Sequence, residues 1–279
     1  MNYRQIVLCL SFPFAALQGY SQPAERQQIE NEYAKHEVMI PMRDGVKLHT
    51  TVYEPRGKQQ RHPILMFRTP YGSGPYGKSF TNALRSELQH YTAKQYIIVY
   101  QDVRGRYMSE GEYENMRPVT LTRGEKANDV TDAYDTAEWL VKHTHNNGRI
   151  GITGNSYLGY YALTAALCKH RAIKAVCPQA PIADWFMGDD IHHNGALMLT
   201  DSFHFLWDFG RYRSFPSPVV SPSKPYYFTD EYSFFLHMGT ISDLSKLQRD
   251  SLPFWNTMCK HSNYDEWWQQ RSPLKQYKK

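Results

Sequence analysis

The sequence predicts an α/β fold, a mostly parallel sheet flanked by helices, followed by an incomplete helical cap. Three observations carry this. Short apolar runs without polar alternation recur at residues 63–68, 96–100 and 149–153, as expected of strands covered on both faces. Segments of helical spacing lie between them, which is the alternation that builds parallel sheets. The third run passes through Gly154-Asn155-Ser156-Tyr157-Leu158-Gly159 into a helix rich in Ala and Leu, placing a serine at the tip of a strand–turn–helix.

Composition bounds the class. Of the 279 residues, 41% are hydrophobic and 21% charged, which excludes a disordered or coiled-coil chain. The net charge of +5 is scattered, without a basic helix or a Lys/Arg block, so no nucleic-acid partner is read from it. No internal repeat or low-complexity segment is present.

The elements follow in order. Residues 1–21 read as a secretory signal: Arg4 gives a positive start, Ile6 to Leu17 an apolar core, and Gly19-Tyr20-Ser21 small residues before a cleavage at Gln22. That run is too short for a membrane span, so the mature chain is expected in the periplasm or secreted, with no membrane partner. Residues 22–35 read as a polar lead-in. His36–Met42 and Val46–Tyr53 flank Arg43-Asp44-Gly45 and form a hairpin. Pro63–Arg68 is a buried strand ending in a breaker-rich loop, Thr69 to Pro75. Phe80–Lys94 is expected to be helical. Tyr96–Tyr100 is the next buried strand, running into Asp102-Val103-Arg104-Gly105, and a long loop follows to Lys126. Val130, Ala133, Tyr134, Ala137, Leu140 and Val141 mark one face of a helix, closed by Asn146-Asn147-Gly148. After the serine turn and its helix, Ala172–Val176 is a further short strand. Residues 22–184 thus form the sheet domain. From Trp185 to Lys279 aromatics and prolines replace the alternation, as in an inserted cap.

In such sheets the site lies beyond the carboxyl ends of the strands. The loops at Tyr71, Asp102 and Ser156 should therefore converge. Strand, Gly-x-Ser-x-x-Gly, helix is close to the nucleophile elbow of α/β-hydrolases. There the turn strains the serine outward, small flanking residues let strand and helix pass closely, and the helix N-terminus offers N–H groups to an oxyanion. Arg104 is expected to pair with Asp102 or Glu110. His192 and His193 lie beside two aspartates, but adjacent residues diverge and no third ligand is spaced for a metal. No cofactor is called for. Outside the leader, Cys168, Cys177 and Cys259 allow one disulfide at most. Cys168 and Cys177 read as buried.

Taken together, Met42-Arg43-Asp44-Gly45-Val46, Arg68-Thr69-Pro70-Tyr71, Asp102-Val103-Arg104-Gly105 with Ser109-Glu110-Gly111, the elbow, and Trp185-Phe186-Met187-Gly188-Asp189-Asp190 resemble one family. It is the Xaa-Pro dipeptidyl-peptidase-like α/β-hydrolases, which include bacterial cocaine esterase and glutaryl acylases; the α-amino-acid ester hydrolase branch matches best. The resemblance implies that Ser156 is an acyl-accepting nucleophile, with the Tyr157 N–H and the Tyr71 hydroxyl as oxyanion donors. It also implies that Asp190 belongs to a carboxylate cluster for the substrate's α-ammonium. Without the family, Tyr71 would read as loop packing and Asp189-Asp190 equally well as a helix N-cap pair. The implied substrates are small esters or amides of α-amino acids, or short peptides. Dipeptidyl-peptidase, carboxylesterase and a non-catalytic binding protein remain alternatives, and a homo-oligomer stays open. The family's acid and histidine follow the cap. Here the later candidates are Asp201, Asp208, Asp230, Asp243, Asp250 and Asp265, with His204, His237 and His261, and none follows a strand. The expectation is therefore an N-terminal portion of a longer hydrolase, inactive by itself.

Overall fold

The computed structural model describes residues 21–57, 59–119, 127–209, 213, 215–219, 230–247 and 251–277; side chains are described from residue 27 on, that of Asp208 excepted. The expected leader falls outside these residues apart from Ser21, as do Asp250 and the end of the loop before Ala127.

Six strands form one sheet: β1 (Tyr33–Pro41), β2 (Lys47–Pro55), β3 (His62–Thr69), β4 (Ile97–Asp102), β5 (Asn146–Asn155) and β6 (Ile173–Gln179). Their spatial order is β1-β2-β4-β3-β5-β6. The hairpin β1–β2 and the pair β2–β4 are antiparallel, while β3–β4, β3–β5 and β5–β6 are parallel. The missing alternation in the central strands now has its reason. Ile64, Met66, Ile97 and Val99 pack on one face, with Ile150 and Ile152 and the helical Ala133, Ala137 and Leu140. Leu65 and Ile98 pack on the other, with Tyr33, Tyr53, Leu84 and Leu88.

Between strands run α2 (Gln89–Thr92), α3 (Asp129–His143) and α4 (Tyr157–Ala166). Asn128 and Thr131 close a capping box on α3, whose first turn carries Asp129 and Asp132 and whose last carries Lys142 and His143, signs that suit the helix dipole. The helix ends at His143, and Asn146–Gly148 already belong to β5. Asn146 still acts as a stop: its Nδ2 donates to the Leu140 and Val141 carbonyls at 3.1 and 3.0 Å.

Three further expectations change. Residues 22–35 fall in α1 (Ser21–Glu32) and the start of β1. Tyr33 anchors the junction, fully buried, its hydroxyl donating to the Thr92 and Tyr96 carbonyls at 3.2 and 3.0 Å. Residues 80–94 form no continuous helix, only a 3-10 turn at Asn82–Arg85 and the single turn of α2. The Leu84 carbonyl, which a helix would give to residue 88, accepts from Thr92 Oγ1 at 3.1 Å. Cys177 is exposed, because β6 is an edge strand and its residues are largely open to solvent; Cys168 and Cys259 are half-buried and all three are free thiols.

Beyond residue 184 the described residues form a two-residue hairpin, β7 (His192–His193) with β8 (Ala196–Leu197), and five helices: α5 (Leu199–Phe209), α6 (Glu231–Met238), α7 (Ile241–Leu247), α8 (Pro253–Met258) and α9 (Glu266–Gln269). They share one aromatic core with the start of α4. Tyr157, Tyr160 and Tyr161 pack in the same cluster as Trp185, Phe203, Trp207, Trp255 and Trp268. No helix among the described residues is long and apolar enough to cross a membrane.

Candidate active site

Ser156 sits between β5 and α4 at φ 58°, ψ −120°, a backbone conformation that L-residues sustain only where the surroundings over-determine it. Those surroundings are visible. The Ser156 N–H donates to the Gln179 carbonyl at 3.0 Å, and its own carbonyl accepts from the Tyr160 N–H at 3.1 Å. A Cβ on Gly154 would lie 2.3 Å from Leu158 Cβ, and one on Gly159 would lie 2.7 Å from the Gln179 carbonyl oxygen. The Ser156 side chain is left exposed.

Tyr157 opens α4, so its N–H has no acceptor within the helix. Its side chain turns away, fully buried. The hydroxyl accepts from the Met116 N–H at 3.0 Å and donates to Asn115 Oδ1 at 3.1 Å. Burial drives this phenol well above its ordinary pKa, so it remains a neutral anchor for the helix start.

Tyr71 lies beside the serine, whose side chain is among the groups that act on its phenol. Burial pushes the phenol up; Ser156 opposes the rise, the Asp190 charge adds to it and Arg106 opposes it. A buried carboxylate positions this loop. Asp102 accepts from the Ser73 N–H at 2.5 Å, the Tyr76 hydroxyl at 2.9 Å and the Met108 N–H at 3.1 Å. Arg106 adds a bond to the Pro70 carbonyl at 2.9 Å. Arg104 does not pair with Asp102 or Glu110. It bridges Asp44 at 2.7 Å and Asp132 at 2.6 Å, tying the β1–β2 turn to α3. Glu110 instead accepts from the Lys47 N–H at 3.0 Å. The spacing of the acids along the sequence did not reveal which of them folds back onto the guanidinium.

Asp190 caps no helix. Its N–H donates to Asp189 Oδ1 at 2.9 Å, while Asp189 Oδ2 accepts from Ala183 N–H at 2.9 Å. Partial burial, Asp189 and Asp201 all push the Asp190 carboxyl up. These residues line a cavity of about 590 Å³ with His193, His204 and Phe205. Asp201, a candidate for the catalytic acid, lies instead beside Asp190; Arg106 and Phe209 were not singled out beforehand, and Phe209 lies edge-on to Tyr71 at 5.1 Å. Only the fold brings them there.

The later candidates have other partners. His204 lies 3.5 Å from Glu231, His237 bonds to the Ser233 carbonyl at 2.6 Å, and His261 pairs with Asp265 at 2.6 Å and stacks on Trp267. Asp230 and Asp265 cap α6 and α9, and Asp243 pairs with Lys246 at 2.8 Å. Among the described residues no histidine is hydrogen-bonded to Ser156, and no group of three His, Cys, Asp or Glu side chains is gathered to hold a metal ion. The His192 ring packs on Phe186 and Trp268, with centroids 4.5 and 5.2 Å away.

The model of the X-Pro dipeptidyl-peptidase (S15) family matches residues 44–279. The chain belongs to this family. It is similar to cocaine esterase from Rhodococcus sp. (strain MB1 Bresler), with 32% identity over 163 residues, 57% of this chain and 26% of that protein. Two solved structures are also similar. One is an aminopeptidase from a marine sediment archaeon, Thaumarchaeota archaeon, with 35% identity and a TM-score of 0.75 over 88% of this chain and 41% of that one. The other is an α-amino acid ester hydrolase, with 36% identity and a TM-score of 0.74 over 87% and 40%. This S15 chain thus spans about two-fifths of those structures and about a quarter of the esterase. The fold is that of the α/β-hydrolases, with a mostly parallel central sheet.

Proposed function

We propose that the chain carries the nucleophile half of a serine hydrolase that transfers acyl groups from esters or amides of α-amino acids. The observation that carries this reading is a Ser156 held at φ 58° at the tip of the strand–turn–helix, with the Tyr71 phenol beside its side chain. An ordinary helix N-cap serine sits in the extended region and bonds to its own helix; Ser156 makes no such bond. In the reaction Ser156 Oγ attacks the carbonyl carbon, and the developing oxyanion is received by the Tyr157 N–H and the Tyr71 hydroxyl. Collapse expels the alcohol or amine, and water or another amine then takes the acyl group from the serine.

Asp190 and its acidic neighbours give the acyl side of the site a charge suited to an α-ammonium group. The similar ester hydrolase and aminopeptidase structures support that choice over a general carboxylesterase. Residues 185–279 act as the cap over the site, and residues 1–21 as an export signal. A fluorophosphonate probe tests the core of this reading, with Ser156→Ala as control. Labelling confined to Ser156 supports it, and would mean that a base in this chain or a partner chain activates the serine, against the expectation of an inactive chain. A folded chain labelled equally in both forms would sink the assignment of Ser156. Asp190→Asn then tests the substrate: weaker binding of an α-amino ester, with an amine-free ester unchanged, is expected, and equal loss for both would remove the α-amino class.

A further inference from the structure

Phe209, edge-on to Tyr71, is one of two stacked rings that each line a cavity. Phe205 and Phe209 lie 4.6 Å apart at 8°. Phe205 faces the acidic cavity of Asp190. Phe209 faces a second cavity of about 410 Å³, walled by Tyr113, Phe254 and Trp267 and reached by Arg213 and Arg271. Among the described residues no arginine lines the first cavity, whereas Arg213 and Arg271 line the second beside Glu112 and Glu114, with Arg106 and Arg117 behind them. Arg271 shares Glu114 with Arg117, at 2.5 and 3.6 Å. Glu112 also lines the cavity, with its carboxylate open to solvent. Against these two carboxylates stand Arg117, Arg271, Arg213 and Arg106.

Arg213 and Arg106 are the unusual pair. Arg213 donates to the Tyr107 and Ser109 carbonyls, and Arg106 to the Pro70 carbonyl; among the described residues neither has a carboxylate partner within ion-pair distance. Arg213 feels the charge of Arg106, and Asp102, already engaged by three donors, and Tyr76 offset part of it. Arg106 lies flat against Phe209, 4.6 Å from the ring centroid, and 5.0 Å from that of Tyr113. Two guanidinium groups so placed, half-buried and buried, are costly without an anion nearby. An anionic ligand in an aromatic-walled cavity would relieve that cost.

We infer that the Phe209–Trp267 cavity is the leaving-group subsite, and that Arg213 selects leaving groups bearing a carboxylate. The inference rests on the acyl-transfer reading above. It narrows the substrate to a bipolar molecule: an ammonium on the Asp190 side, a carboxylate on the Arg213 side, and the scissile carbonyl between them at Ser156 and Tyr71. Products leaving this side would be amines or alcohols that carry a carboxylic acid, as in a dipeptide-like substrate.

The test is calorimetric binding of benzoate and of benzamide to this chain at low ionic strength. It needs no turnover, so it stands apart from probe labelling of Ser156. Benzoate should bind about tenfold tighter than benzamide, the worth of one charge-assisted contact, and the preference should shrink with added salt. Arg213→Gln should abolish the preference while leaving benzamide unchanged, and Arg213→Lys should restore part of it. Equal binding of the two probes by the unmodified chain overturns the inference, whether or not the variants fold. So does a benzoate preference that survives Arg213→Gln, which would mean an adventitious site elsewhere. If Ser156 fails to label while the benzoate preference holds, the acyl-transfer reading has failed and the anion subsite has not.

Discussion

The closest approach of backbone to backbone at the elbow yields a prediction that geometry alone sets. In Gly154→Ala the new methyl carbon would stand 2.3 Å from Leu158 Cβ, 2.6 Å from its carbonyl carbon and 2.7 Å from its carbonyl oxygen. Contact between carbons begins near 3.5 Å, so the overlap exceeds about 1 Å. Two of the three atoms are main chain, so no rotamer change removes it; α4 must shift. In Gly159→Ala the methyl meets the Gln179 carbonyl at 2.7 Å and Pro181 Cα at 3.0 Å, again largely backbone. Overpacking of rigid surroundings costs about 1–3 kcal/mol or more, and Ala recovers about 0.4–1 kcal/mol by restricting the unfolded chain. The expected net loss is about 3 kcal/mol for Gly154→Ala and about 2 kcal/mol for Gly159→Ala. Gly57→Ala is the control: its methyl would meet nothing within 4 Å, and it should be neutral or slightly stabilising. Urea unfolding followed by far-UV dichroism reads all three. A Gly154→Ala chain within about 0.5 kcal/mol of the parent would refute the reasoning, since the helix would then have room that the geometry denies it.

Other expectations follow from single contacts. Tyr71→Phe removes the hydroxyl beside Ser156; if it is an oxyanion donor as proposed, probe labelling should slow by about 10²-fold, with unfolding free energy changed by less than about 1 kcal/mol. Arg104→Met strands the fully buried Asp132, 2.6 Å from the lost guanidinium, and should cost about 3–5 kcal/mol in urea unfolding, mostly through Asp132 because Asp44 is more exposed. Burial raises the Asp129 carboxyl from 3.8 to about 6, with Arg68 and Arg117 opposing the rise. Between those values the folded chain keeps a proton that the unfolded chain has lost, so this group's contribution falls as pH rises. Asp129→Asn mimics the protonated form and should gain on the parent from pH 4 to pH 7, by about 3 kcal/mol at most. A stability difference independent of pH would show that the carboxyl is not the titrating group.

The strands were legible because each central one is a short apolar run, and burial on both faces leaves little else possible. The elbow was legible because its glycines answer a close approach of strand and helix that any side chain there would block. What the sequence concealed lies at longer range. The Arg104 partners sit 60 residues before and 28 after it, and nothing local distinguishes Asp44 and Asp132 from Asp102 and Glu110. The helical reading of 80–94 failed because Thr92 claims the Leu84 carbonyl and Tyr33 claims that of Thr92. Tyr71 was assigned through family resemblance alone; its local context argues only for a packed loop. Phe209 and Arg106 carry no motif, and their contacts with each other and with Tyr71 and Pro70 exist only in the fold.

The serine's amide is bound to β6, which among the described residues is the outermost strand of the sheet. An edge strand opens more readily than the strands it borders. Each time β6 frays past Gln179, the Ser156 N–H loses its acceptor, and the strained backbone at that residue is free to relax. The lifetime of the strained serine pose is then set at the periphery of the sheet, although the serine itself follows β5. Hydrogen exchange at the Ser156 amide should track that of β6 and run faster than that of β3 or β4. Whatever pairs with or covers that edge would slow the exchange and steady Ser156 from a distance.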